Sequence, residues 1–447
     1  MRIPFVSSNH RYAPLSVNGV TVRPHASPTA IASIAFIASY LLAILCVRHF
    51  TWRDPTSVFF DYTHAYEPVY SAVRQRQAEA FIDAAGTTTP LANRTSTSGK
   101  SLCVGIASVA RENARYFRTT VGSLLAGLGE EERQGIHLIL FIAHTDPTVH
   151  PAYSEAWLHN AADQVLAYDL PAAELEHIKK LEKDKGLFRE KALFDYTYLL
   201  RTCLAAGTPY IAMFEDDVIA MDGWFHRTQH ALDLAEKETA LRNAALDFFY
   251  LRLFYTEEFL GWNSEEWRTY LFYSALVVSI SAAILLSIRH IRPTKLVTDA
   301  LTNRNILIIC GICIPAYVLL FFAAGRVTVF PRPHGLNEMN KFGCCSQGLV
   351  FPRSRAQDLA DYYTSRHLGF VDMLTEEYAD SRGETRWAIT PPVIQHVGRR
   401  SSKGDDFGKA SKYHMSVAEK LWNFEFEKYD AESLVREHSR VLQRGGG

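Results

Sequence analysis

The sequence predicts an α/β domain interrupted by a hairpin of two apolar helices and preceded by a single apolar helix. Three observations predict it. Three stretches of about twenty residues carry no Lys, Arg, Asp or Glu. In the polar remainder, buried strand patterns alternate with amphipathic helices. One of those strands runs directly into three consecutive carboxylates.

The apolar stretches come first. No charge lies between Arg23 and Arg48, and residues 30–47 are almost wholly apolar. Further gaps run from Thr269 to Ile288 and from Asn305 to Gly325. Each approaches or meets the roughly 20 residues a helix needs to cross about 30 Å of hydrocarbon. Soluble core helices are rarely this long and uncharged on every face. The first stretch stands far from the start and lacks a small-x-small cleavage site, so it reads as an uncleaved signal-anchor. Arg2, Arg11 and Arg23 precede it without an acid, and the loop 289–304 sets Arg289, Arg292, Lys295 and Arg304 against Asp299 alone. By the positive-inside rule both segments are expected to be cytosolic.

The expected organisation follows: a cytosolic tail 1–29, a membrane helix 30–47, and a lumenal stem and linker 48–100. The first part of the α/β domain is 101–268, with a membrane helix 269–288, a cytosolic loop 289–304 and a membrane helix 305–325 after it. The second part of the domain and a C-terminal tail fill 326–447. The two lumenal blocks share a compartment and can form one domain.

Composition narrows the functions. The 47 Lys and Arg against 48 Asp and Glu leave a net charge of -1, which offers no polycationic surface for nucleic acid. With 48% hydrophobic and 21% charged residues, most of the chain is not intrinsically disordered. Cys46, Cys310 and Cys313 lie in or beside the apolar stretches, whereas Cys103, Cys203, Cys344 and Cys345 fall on the oxidising side. Four cysteines allow three pairings; the neighbours Cys344 and Cys345 are expected to pair elsewhere or stay free. No ligand pairs at finger spacing accompany these cysteines, which argues against zinc on them. Asn93-Arg94-Thr95 is a glycosylation sequon within a Thr-, Ser- and Gly-rich stretch.

Within the polar blocks, Leu102–Val109 and Ile136–Ala143 read as buried strands, with a helix over Tyr116–Leu128 between them and a short strand at Gln164–Leu170. An amphipathic helix spans Gly186–Ala206, and Tyr210–Phe214 is a strand. Tyr66, Val69, Tyr70 and Val73 give 54–85 a helical period, read as the stem. In the second block, Gly348–Pro352 is a strand and Ala356–Ser365 a helix. Such alternation predicts a largely parallel sheet with ligands at the carboxyl ends of its strands. No G-x-G-x-x-G, Walker A, H-E-x-x-H or G-x-S-x-G pattern is present, so dinucleotide, P-loop, zincin and serine-hydrolase chemistry lack support.

Glu215-Asp216-Asp217 leaves the strand Tyr210–Phe214 together. Three adjacent carboxylates repel one another, and a hard divalent ion such as Mn2+ or Mg2+, shared with substrate phosphates, compensates them. The bland alternative is an acidic turn that starts a helix at Asp222. Asp372, among Phe370, Val371, Met373 and Leu374, is either a general base tuned by apolar neighbours or the N-cap of the following helix. Glu376 and Glu377 read as a solvated face. His396, ahead of the basic loop Arg399–Lys403, is either a metal ligand or a satisfied structural histidine.

Val104–Phe117, Arg189–Leu200, Phe214–Ile219 and Pro391–Lys403 together resemble the N-acetylglucosaminyltransferase IV type of GT-A glycosyltransferase. That family has a single anchor. A GT-A domain split by a transmembrane hairpin looks like the post-GPI-attachment N-acetylgalactosaminyltransferase family, and the resemblance covers most of residues 30–430. It implies a GT-A-like domain in the Golgi membrane, three spans, a cytosolic N-terminus and a lumenal catalytic domain. It implies a UDP-sugar donor, UDP-GalNAc by family, Mn2+, and the mannose of GPI-anchored proteins as acceptor, with inversion. Carried over, Glu215, Asp216 and Asp217 bind nucleotide-sugar and metal, with Asp217 the direct ligand and His396 a second. Arg111, Lys191, Asp195 and Arg399 fall near the nucleotide, and Asp372 falls on the base. The relatives' motif is an Asp before Trp-Leu; here Met373-Leu374 follows, which leaves acceptor contacts open. Two other functions are weighed: an N-acetylglucosaminyltransferase IV-like enzyme on N-glycans, for which a hairpin has no evident use, and a non-catalytic sugar-binding scaffold, which gains nothing from clustered unpaired carboxylates.

Overall fold

A computed structural model of the chain describes residues 28–87, 99–111, 115–184, 187–242, 247–339, 345–399 and 415–445. The sequon at Asn93, Cys344, the N-terminal tail before residue 28 and residues 400–403 of the basic loop lie outside them. The chain divides into two compact units, 1–50 with 263–324, and 51–262 with 325–447.

The first unit holds the apolar helices. Among the described residues, three helical segments are long and apolar enough to cross a membrane: Ala30–Thr51, Glu257–Ile291 and Asn303–Ala323. The third contains a π-helical turn, Ile309–Cys313, which ends two residues before Pro315. Proline has no N–H and its ring crowds the carbonyl four residues back, so a wider turn there relieves the clash without breaking the helix. Polar side chains join the first and third helices. Tyr40 Oη donates to Ala316 O (3.1 Å), and the Ser39 and Tyr317 hydroxyls lie 2.9 Å apart. Such bonds add cohesion between the two apolar helices beyond their packing.

The second unit is mixed α/β. In chain order its described elements include α1 (Tyr70–Thr87), β1 (Leu102–Ser108), α2 (Tyr116–Leu125), α3 (Glu130–Gln134), β2 (Ile136–Ile142), β3 (Gln164–Leu166), α4 (Phe188–Ala205), β4 (Tyr210–Phe214), β5 (Val218–Ala220), α5 (Trp224–Arg242) and β6 (Tyr250–Arg252). After the hairpin come β7 (Gly335–Glu338), β8 (Gly348–Pro352), α6 (Arg353–Arg366), α7 (Val371–Arg382), β9 (Arg386–Thr390), β10 (Ile394–His396) and α8 (Ala431–Gly445).

The central sheet runs β3-β2-β1-β4-β8-β6-β9-β7, and β5 pairs with β10 in a separate ribbon. Strands β3, β2, β1 and β4 are mutually parallel. β8 is antiparallel to β4 and to β6, β9 is parallel to β6, and β7 is antiparallel to β9. Strands from both sides of the hairpin therefore interleave in one sheet.

Side chains alternate between two cores, as a pleated strand requires. Val104, Ile106, Leu138 and Leu140 join Phe117, Val121 and Trp224 on one face. Cys103, Ile139, Phe141 and Met213 join Leu193, Leu199 and Leu200 on the other. Full burial of one such leucine contributes about 1.5–3 kcal/mol. A Cys103–Cys203 disulfide ties β1 to α4. Cys345 is also disulfide-bonded.

Residues read from sequence as a stem fold into this unit. α1 buries Tyr70, Ala78 and Ile82. Its Arg74, 2% exposed, donates to Ala220 O (2.8 Å), Ser123 O (2.7 Å) and Ala126 O (3.1 Å). The chain's entries to this unit meet one another as well. Asp54 accepts from the backbone and hydroxyl of Thr328, and Arg326 donates to Gly261 O.

Candidate active site

The carboxyl ends of β1 and β4, with the β5–β10 ribbon, bring the acidic residues together. Between the triad and α5 stands β5, so Glu215–Asp217 do not begin a helix; the acidic-turn reading falls because Val218–Ala220 pairs with Ile394–His396.

Asp216 is buried. Its Oδ2 accepts from Ser108 Oγ (2.6 Å), and its Oδ1 pairs with Arg111 Nη2. Ser108 in turn faces His150 Nε2 at 3.0 Å. The backbone N–H of Ala152 donates to His150 Nδ1, so the ring proton sits on Nε2 and points at Ser108. A directed chain, His150 to Ser108 to Asp216, thus fixes the carboxylate. Burial, against the pull of Arg111, lifts Asp216 to about 6.

Asp217 is buried as well. Its Oδ2 accepts from Arg111 Nη1 (2.9 Å) and lies 3.6 Å from His396 Nε2. Among the described residues its Oδ1 has no hydrogen-bond partner. Burial opposes its charge, but His396 and Arg111 outweigh burial and hold its pKa well below the usual range. His396, at the end of β10, faces Leu421 O through Nδ1 at 3.0 Å. A carbonyl only accepts, so Nδ1 carries a proton and Nε2 is the nitrogen turned toward Asp217. Burial lowers the affinity of this ring for a second proton, yet Asp217 raises its pKa overall. Glu215, half-buried, accepts from Ser346 Oγ (2.7 Å). One ligand atom each of Glu215, Asp217 and His396 lies within 4.8 Å of the others.

Gly398 completes the cradle. A Cβ there would stand 2.2 Å from Asp217 Oδ2 and 2.9 Å from His396 Nε2. An unpartnered carboxylate oxygen, an imidazole nitrogen turned toward the carboxylate and a clearing kept by glycine fit a divalent cation with oxygen and nitrogen ligands. A cleft of about 300 Å³ opens beside them, lined by Tyr66, His396, Gly398, Arg399 and Trp422.

The remaining expected residues spread along the same edge of the sheet. Arg399 is exposed, and its backbone N–H donates to Tyr116 Oη (3.1 Å), whose ring lies against the Arg111 guanidinium. Lys191 and Asp195 share one face of α4 in a buried ion pair (2.7 Å); Lys191 Nζ also donates to Tyr168 Oη and Ala143 O, just past the end of β2. Asp372 lies in the first turn of α7, half-buried, accepting from Met373 N. The N-cap is Phe370, so Asp372 is not the cap. Its charge is felt by Arg252, which donates to Cys345 O beside Ser346, the partner of Glu215.

Glu376 corrects an expectation. It is not solvated: 8% exposed, it accepts from Tyr250 Oη (2.6 Å), Arg252 Nη2 (2.9 Å) and Arg386 Nη1 (2.7 Å). Its neighbour Glu377 is exposed as expected. The residues sequence reasoning missed support the ribbon. Gln395 is bracketed by Asn423 and Glu427, while Glu427 accepts from Val69 N and Ser71 N. Only the aromatic run Trp422–Phe426 hinted that this tail is packed.

Sequence relatives act on sugars. Bovine alpha-1,3-mannosyl-glycoprotein 4-beta-N-acetylglucosaminyltransferase A is 26% identical over 152 residues, covering 31% of the chain and 28% of that protein. Mouse alpha-1,3-mannosyl-glycoprotein 4-beta-N-acetylglucosaminyltransferase B is 27% identical, covering 27% and 24%. Chicken alpha-1,6-mannosyl-glycoprotein 4-beta-N-acetylglucosaminyltransferase is 29% identical, covering 30% and 31%. The aligned region spans under a third of each of these relatives. With an acidic strand end in a mixed α/β sheet, they define the class: the chain is a glycosyltransferase. Residues 102–395, more than half of it, match the sequence model of GPI-N-acetylgalactosamine transferase PGAP4. The chain belongs to that family.

Proposed function

We propose that the chain transfers N-acetylgalactosamine from UDP-GalNAc to a mannose of GPI anchors, with inversion, as a Golgi membrane enzyme. In this reading the three apolar helices span the bilayer, the N-terminus is cytosolic, and the α/β unit is a lumenal GT-A-like domain split by the hairpin. The observation that carries it is the convergence of Asp217, His396 and Glu215, with Asp217 Oδ2 3.6 Å from His396 Nε2 and the space beside them kept open by Gly398. The family match supports this choice of donor and acceptor.

Asp217, His396 and Glu215 would hold Mn2+ or Mg2+, which would neutralise the leaving diphosphate. Arg111 locks Asp216 and Asp217 in place, so neither carboxylate has to reorganise as charge develops. Arg399 reaches the diphosphate from the rim. Lys191 and Asp195, already satisfied by each other, brace the ends of β2 and β3 where the nucleotide rests. Asp372 takes the proton from the acceptor hydroxyl as that oxygen attacks the anomeric carbon. A GPI glycan stays close to the bilayer, so a membrane-held site gains effective concentration.

The test is sugar transfer by full-length, detergent-purified protein with Mn2+, from a panel of UDP-sugars to a GPI-anchored protein and to a free N-glycan. Transfer from UDP-GalNAc to the GPI acceptor, lost in Asp217→Asn and in Asp372→Asn, is the expected result. Transfer to the N-glycan alone would move the assignment to the activity named for the relatives. Folded protein that neither transfers nor binds any UDP-sugar would make it a scaffold.

A further inference from the structure

A second cluster of ligating side chains lies away from the acidic triad. Glu132 on α3, His226 on α5 and His438 on α8 each bring one ligand atom to within 4.8 Å of the other two. Glu132 and His438 are 8% and 3% exposed. His438 Nε2 lies 2.8 Å from Glu132 Oε2. The second Glu132 oxygen, Oε1, has no hydrogen-bond partner among the described residues, and neither does His226 Nδ1; these two buried atoms face each other across 4.0 Å.

Both imidazoles are also backed by a carboxylate. His438 Nδ1 pairs with Asp222 Oδ1 at 2.5 Å, and His226 Nε2 stands 3.6 Å from Glu437 Oε1. Metal-ligating histidines are held with an acid behind the rear nitrogen; the front Nε2 of His438 lies at hydrogen-bond distance from Glu132 Oε2, and zinc would take the place of the proton between them. Backbone shape makes room for it. Gly223 has φ +74°, and a Cβ there would lie 2.4 Å from His226 Cε1 and 2.9 Å from its Nδ1. Charge points the same way. Glu132, Asp222 and Glu437 converge here, and Arg227 pairs with Glu437 (2.7 Å).

We infer that Glu132, His226 and His438 form a zinc site that clips the C-terminal helix α8 to α3 and α5. Two imidazole nitrogens and one carboxylate oxygen are a zinc donor set, with a fourth position left for water. The inference does not depend on the proposed reaction, because these residues lie outside the triad cluster.

The experiment uses the full-length Asp217→Asn chain in detergent, which disables the other candidate cation site. It is stripped with a chelator, equilibrated with Zn2+ alone, desalted, and its zinc counted by mass spectrometry. One zinc per chain is expected, falling to none when His226→Gln or Glu132→Gln is added. The melting temperature should rise with Zn2+ in the parent and stay fixed in both double variants. If one double variant misfolds, as its metal-free melting curve would reveal, the other carries the comparison. No zinc retained by the parent, which would leave a protonated His438 as the only bridge, overturns the assignment. So does equal retention by a folded double variant.

Discussion

Gly398→Ala separates the triad site from the fold that carries it. The new methyl carbon would fall 2.2 Å from Asp217 Oδ2 and 2.7 Å from its Cγ, where real contacts begin above 3.0 Å. The backbone at Gly398 is not left-handed, so alanine meets no conformational strain there; the collision is with the carboxylate. Asp217 must retreat by about 1 Å, and Arg111 Nη1, at 2.9 Å from the same oxygen, holds it. Overpacking of this kind costs about 1–3 kcal/mol of stability. A misplacement of about 1 Å in a catalytic group lowers the rate by about 10²-fold. The assay is transfer rate as a function of Mn2+, beside Mn2+ binding followed by electron paramagnetic resonance and a thermal melt. The expected outcome is a rate about 100-fold lower and weaker Mn2+ binding in protein that still melts cooperatively. Wild-type rate and Mn2+ affinity in Gly398→Ala would refute the cradle.

Glu376→Ala strips two buried guanidiniums, Arg252 and Arg386, of a shared carboxylate. It should destabilise the domain by about 3–5 kcal/mol in urea unfolding, as breaking a buried pair does; a change under about 1 kcal/mol would mean the network is solvated. Arg74→Met leaves three carbonyls of the α2–β5 region without their donor and should cost about 1–3 kcal/mol, with amide exchange accelerating first in Val218–Ala220. His150 supplies a pH dependence. Burial, helped by His144, lowers it from 6.5 to about 4, so between those values the unfolded chain binds more protons than the folded one. Stability is then full above pH 6.5 and declines as pH falls toward 4. His150→Gln should flatten that part of the melting-temperature profile, and an unchanged slope would exclude His150 as its source.

Much of the site was legible where the signal is local. Glu215–Asp217 at the end of β4 could be read because an apolar strand followed by adjacent acids is a pattern of one short segment. Lys191 and Asp195 share a helix face by spacing alone. The strands β1, β2, β4 and β8 were visible as apolar runs, because both faces of a central strand are buried. β5, β6 and β10 were not, each being three residues long, too short for a period of two to declare itself; β3 is as short and was read only as part of the longer run Gln164–Leu170. Glu376 looked like its solvated neighbour Glu377 because a carboxylate's surroundings depend on arginines supplied by strands β6 and β9.

By itself the sequence determined three apolar helices, the strand–helix alternation, and the stock of carboxylates and histidines from which a site could be built. Those follow from side-chain chemistry and spacing along one segment. Tertiary structure decided which of them meet. Asp217 and His396 face each other only because β5 pairs with β10 across the hairpin insertion, and Glu132 reaches His438 only because α8 folds back onto the domain. Contacts of that kind are set by strand register and helix docking between distant parts of the chain, and no local periodicity encodes them.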